Sequence, residues 1–159
     1  MTNLSPPPTT KSRLICSAET VDLTEGNAPK GYSLIDHHGH EGITIEKWED
    51  GVVTIKGYIP QFRQPRSKSG HVIAAREVKG IYYYPGYDVA LCLVNNSDLL
   101  PRLWFKDGLE VGFWGTRFLH EKSDQICVAV LSLKKSKLVC EIRSLQAHFG
   151  RHHRIIVGQ

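Results

Sequence analysis

Two alternating runs meet at the Asp50-Gly51 dipeptide of GITIEKWEDGVVTIKGYI, and this feature does most to limit the folds open to the chain. Asp-Gly permits the tight reversal of a short hairpin loop, and period-2 alternation on either side sends one face of each strand into a core. In the second run Val53, Ile55 and Ile59 share one face, while Thr54, Lys56 and Tyr58 share the other. The expected class is therefore mainly β.

The rest of the chain extends this pattern. HVIAAREV (71–78) and GIYYYPGYDVALCLVN (80–95) read as two further strands, the second interrupted by a turn or bulge at Pro85-Gly86. A short helix is expected over 98–106, capped by Ser97 or Asp98, with Leu99, Leu100, Leu103 and Trp104 as its apolar stripe and Gly108 as its stop. LEVGFWGTRFL, QICVAVLSL and LVCEIRS then form a meander with turns at HEKSD and KKSK. The organisation is a disordered Pro-rich tail (1–12), a single domain (13–145) and a basic C-terminal tail (146–159). In that last tail 155–157 offer a candidate edge strand, and His152 and His153 are expected to be exposed.

Charge is distributed unevenly. Residues 1–50 carry four Lys/Arg against eight Asp/Glu, and residues 51–159 carry sixteen against eight, so the positive field belongs to the later chain and suits an anionic partner. Cys16, Cys92, Cys127 and Cys140 are far apart in apolar surroundings and read as buried free thiols of a reducing compartment. No apolar run approaches the roughly 18 residues that cross a bilayer. The expected protein is soluble and intracellular, in cytoplasm or nucleus, with no membrane partner.

The order of three strands, a short helix between strands three and four, then further strands resembles the oligonucleotide/oligosaccharide-binding (OB) fold, a small Greek-key β-barrel. The likeness is carried by GVVTIKGYI and by KDGLEVGFWGTRF, whose Leu109, Gly112 and Gly115 resemble the opening of the fourth strand in many members, although Val111 here precedes the middle glycine. It covers roughly residues 42–143. The resemblance implies a groove across strands two and three, holding Phe62, Arg63, Arg66, Lys68, Arg76 and the tyrosines of 82–87, with His120 and Lys122 opposite.

These residues coincide with the most basic and aromatic stretch of the chain, residues 51–87. Cations there suit phosphates, and exposed rings suit bases. The expected function is a noncatalytic module for single-stranded DNA or RNA, or a subunit of a nucleic-acid-handling complex. Lys56, Arg63, Arg66, Lys68, Arg76 and Lys122 would neutralise phosphate, and Tyr58, Phe62, Tyr82 and Tyr84 would stack. One alternative is a protein-interaction barrel in a larger assembly.

A second alternative comes from DHHGHEG (36–42). An H-x-H pair beside carboxylates is a competent ligand set, and Gly31, His38, His40, Glu46 and Gly51 resemble the first motif of the cupins, with three intervals altered and no second motif. That resemblance implies a small metal-dependent enzyme using His38, His40 and Glu46 from the His37–His40 neighbourhood. No nucleotide-binding glycine loop, nucleophile elbow or paired-cysteine zinc signature occurs, so no cofactor is implied.

Overall fold

The computed structural model describes residues 12–17, 28–37, 44–79 and 82–158, with residues 12–17 and His37 described by their backbone alone. The hairpin stands where the Asp50-Gly51 signal puts it. Strands β3 (Thr44–Trp48) and β4 (Val53–Ile55) pair antiparallel, with Ile45 opposite Ile55, and Gly51 takes the left-handed φ of 87° that the turn requires. The Asp50 carboxylate accepts the Val52 N–H at 3.0 Å. With β1 (Ser12–Ser17) this hairpin makes a three-stranded sheet in the order β1-β3-β4.

The run 51–59 is not one strand. Lys56 and Gly57 both adopt positive φ (53° and 77°), and Ile55 and Tyr58 exchange backbone hydrogen bonds at 2.9 Å across them. This is a second tight hairpin, which hands the chain to β5 (Pro60–Arg63) in a different sheet. Lys56 therefore sits at a turn and not beside Tyr58 on a strand face.

The larger sheet has six strands. β6 (Glu110–His120), β7 (Ile126–Lys134) and β8 (Lys137–Ser144) are the expected meander. β9 (His153–Gly158) lies between β5 and β6, antiparallel to the first and parallel to the second, and β2 (Tyr32–His37) pairs with the far half of β6. The chain is mainly β, and no closed barrel forms from the described strands.

Both faces of this sheet are covered, and alternation along the strands decides which side chain goes where. Val111, Phe113, Ala129, Leu131 and Ile156 enter one core with Val89, Ala90 and Leu93. Their neighbours Trp114, Val128, Val130, Ile155 and Val157 enter a second with Ile73, Tyr84 and Phe149. A strand buried on both faces reads as a continuous apolar run, which is what 155–157 are. The basic tail expected from 146 onward is thus corrected: its last strand is interior, because Arg and His flank a segment with no exposed face.

Two segments expected as strands are helical. Residues 71–78 form a short helix, α1 (Gly70–Val72), which Ser69 caps by accepting the Val72 N–H at 3.4 Å and which continues as a π-helical turn, Ile73–Glu77. Residues after Pro85-Gly86 form α2 (Tyr87–Asn95), burying Val89, Ala90, Cys92 and Leu93 at helical spacing with Asp88 in the first turn. Residues 98–106 hold only 3-10 turns, at Ser97–Leu99 and within Arg102–Gly108, and Leu103, expected in an apolar stripe, is 73% exposed. The helix between sheet strands is α2, one element earlier than expected.

Cys127 and Cys140 are free, but Cys92 is disulfide-bonded, which corrects the reading of it as a free thiol. No helix among the described residues is long and apolar enough to cross a membrane. The proposed tail 1–12 lies, apart from Ser12 at the start of β1, outside the described residues.

Candidate functional site

β5 ends at Arg63, and its pairing with β9, Arg63 opposite Ile155, fixes where that side chain leaves the sheet. The next residues, 64–69, are polar and carry Pro65, so they run as a loop over the surface. Glu77, the last residue of the π-helical turn, holds this loop: its carboxylate accepts the backbone N–H of Arg66 at 2.6 Å and that of Ser67 at 3.4 Å. Ser67 Oγ in turn accepts the Ser69 N–H at 3.1 Å.

The other wall is built by the tyrosines. Tyr84 is only 4% exposed; its hydroxyl donates to the Glu77 carbonyl at 3.1 Å and accepts the Lys79 N–H at 3.0 Å, which ties off the end of the helical turn. Tyr82, two residues earlier, is 36% exposed and meets Tyr84 edge-on with centroids 6.5 Å apart. The Arg63 guanidinium lies 5.8 Å from the Tyr82 ring centroid.

Between loop, helical turn and Tyr82 is a cavity of about 630 Å³, lined by Arg63, Arg66, Arg76, Lys79, Glu77 and Tyr82 among others. None of the four cations forms an ion pair among the described residues. Elsewhere arginines are spent on structure: Arg117 bonds Asp36 at 3.0 Å, and Arg143 makes a bidentate contact with Glu110. Four like charges around one concavity with a single carboxylate leave a positive field that an anion relieves.

The structure brings together Arg63, Arg66, Arg76 and Tyr82 of the residues expected from sequence. It does not bring the others to this cavity. Lys56 and Tyr58 sit at the opposite end of β5, where the Lys56 ammonium lies 5.6 Å from the Tyr83 ring centroid and Tyr58 is 6.3 Å from that ring. Phe62 is corrected from a stacking surface to a core contact, packed on Trp104 with centroids 5.0 Å apart. Tyr84 is corrected likewise, since its ring is buried and its hydroxyl engaged. Lys122 is exposed in the turn joining β6 to β7 and does not line the cavity. Lys68 lines a neighbouring one. Lys79 and Glu77 were missed, although Glu77 is the one acid between Asp50 and Asp88, the signal that marks it.

A buried polar cluster lies under the second core. His153, fully buried, accepts the Trp114 indole N–H on Nε2 at 3.1 Å and so donates from Nδ1 to Glu110 at 3.0 Å. Burial pushes the His153 pKa down against the opposing pull of Glu110. Burial would raise the Glu110 carboxyl, but hydrogen bonds from His153 and Arg143 outweigh it and hold its pKa at about 2. Both imidazole nitrogens are occupied inside the protein, so this cluster is structural, and His153 is corrected from exposed to core. A Cβ on Gly112 would come within 2.5 Å of that imidazole, so the glycine serves this packing. Burial also pushes the Cys140 thiol up to about 11, which leaves it a poor nucleophile.

His38 and His40 of the metal alternative lie outside the described residues, and Glu46 is half-buried on β3. Among the described residues no three His, Cys, Asp or Glu side chains gather as a metal site. No protein-family model, curated protein or solved structure matches this chain.

Proposed function

We propose that this chain is a noncatalytic binding module for single-stranded nucleic acid, taking a phosphate and its base in the cavity between the 64–69 loop and the Ile73–Glu77 turn. The observation that carries the reading is the set of four cations, Arg63, Arg66, Arg76 and Lys79, without an ion pair among the described residues, around a cavity whose rim holds the exposed Tyr82 ring. Guanidinium groups grip phosphate through paired donors, and a tyrosine face accepts any base. A base reaches a concave site only when it is unstacked, which favours a single strand over a duplex. The reading needs no closed OB-type barrel, because the end of β5, the 64–69 loop, the helical turn and Tyr82 together line the site.

Fluorescence anisotropy with labelled single-stranded and duplex oligonucleotides tests it. R66E/R76E should abolish binding at physiological salt, and Y82A should weaken it by about 1–3 kcal/mol. Equal affinity of the reversal variant and the wild type would refute the assignment.

One observation favours protein docking as a second reading. Leu133, 42% exposed, lines a cavity of about 430 Å³ with Leu100, Pro101, Phe105 and Leu138, and Leu103 projects from the same turn. L103D/L133D would then disrupt a stable complex while leaving oligonucleotide binding intact.

A further inference from the structure

We infer that a second cavity, lined by the next residues of the 64–69 loop, is a subsite for the adjoining phosphodiester of the same strand. This rests on the nucleic-acid reading above. The second cavity, of about 420 Å³, is lined by Lys68, Ser69, His71, Gln146 and His148 over a floor that includes Leu145.

The loop that forms one wall of the first cavity also forms a wall of the second. Arg66 and Ser67 line the first, and the next two residues, Lys68 and Ser69, line the second. Two residues of chain reach at most about 7 Å, so the backbones of Arg66 and Lys68 lie within a distance of the order of one nucleotide step.

The second cavity is chemically a donor site. It has no carboxylate in its lining, and among the described residues the side chains of Lys68, His71 and His148 have neither an ion pair nor a hydrogen-bond partner. Gln146 uses its carbonyl to accept from Gln125 at 3.0 Å, which leaves its amide N–H groups to face a ligand. The Lys68 ammonium, one N–H from each imidazole and a primary amide match phosphate oxygens.

The site is also held in place. The Lys68 carbonyl accepts the Phe149 N–H at 2.9 Å, and Ser69 and His148 form a backbone bridge, so the loop is fastened to the 145–149 turn. Gly70 lets helix and turn touch: a Cβ there would come within 2.4 Å of the Leu145 carbonyl oxygen. A preformed subsite binds without the cost of ordering a loop.

The test is the dependence of affinity on strand length, using fluorescein-labelled oligothymidylates from dinucleotide to octanucleotide. The wild type should gain affinity as the strand becomes long enough to cross the loop. K68A/H148A should lose about tenfold on the long strand, with a salt slope shallower by about 1, and keep the wild-type affinity for the dinucleotide. K68E should do the same more strongly. A length gain that survives both variants overturns the second subsite and leaves the first intact. No binding by the wild type at any length overturns both.

Discussion

Glu77 accepts the backbone N–H of Arg66 at 2.6 Å, so the acid in the basic cavity is engaged by the chain and not by its arginines. The contact orients the loop and leaves the guanidinium groups free for a ligand.

Removing that carboxylate should loosen the loop and little else. E77A is expected to speed hydrogen exchange at the Arg66 and Ser67 amides while costing about 1 kcal/mol of global stability, because water can replace a contact this exposed. Exchange rates measured by NMR for both proteins check this.

Arginines that look alike in sequence should behave oppositely on truncation. Arg143 bonds Glu110 and Glu141 in a half-buried network, so R143A should destabilise by on the order of 3 kcal/mol. R66A and R76A remove unpaired surface charges and should stay within about 0.5 kcal/mol of wild type. Denaturant unfolding of the three variants separates the two classes.

The buried cluster predicts how stability depends on pH. His153 has a folded pKa below the ordinary 6.5, so the unfolded chain takes up its proton first and stability falls as pH drops below about 6.5. Glu110, held at about 2 against an ordinary 4.5, adds a second loss as pH falls from 4.5 toward 2. Melting temperatures from pH 8 to pH 3 should show both, and H153Q should remove the first.

Reduction of the Cys92 disulfide should cost about 2–4 kcal/mol. Non-reducing intact mass should sit about 2 Da below the fully reduced mass, the two hydrogens lost in forming one disulfide, and C92S should match the stability of reduced wild type.

What the sequence makes legible follows from the range of the interactions. The 50–51 hairpin and the β6–β8 meander are written in neighbouring residues, so pattern and turn chemistry find them. The helices at Gly70–Glu77 and Tyr87–Asn95 carry Val72-Ile73 and Tyr87, Val89 and Val94, which suit strands as well, and Ser69 and the Val89-Ala90-Cys92-Leu93 spacing are the clearest local signs of them. His153 is illegible because Trp114 and Glu110 are 39 and 43 residues away in the chain. In the site, Arg63, Arg66, Arg76 and Tyr82 stand out as a basic aromatic stretch. That Tyr84 and Phe62 turn inward depends on packing that no local pattern encodes.

The most direct test of the central claim is the slope of log affinity against log salt for a short single-stranded oligonucleotide. Four phosphate-facing cations predict a slope of about −3 for the wild type, falling to about −1 for R63A/R66A/R76A. A wild-type slope near zero, or a triple variant with the wild-type slope, would contradict the account.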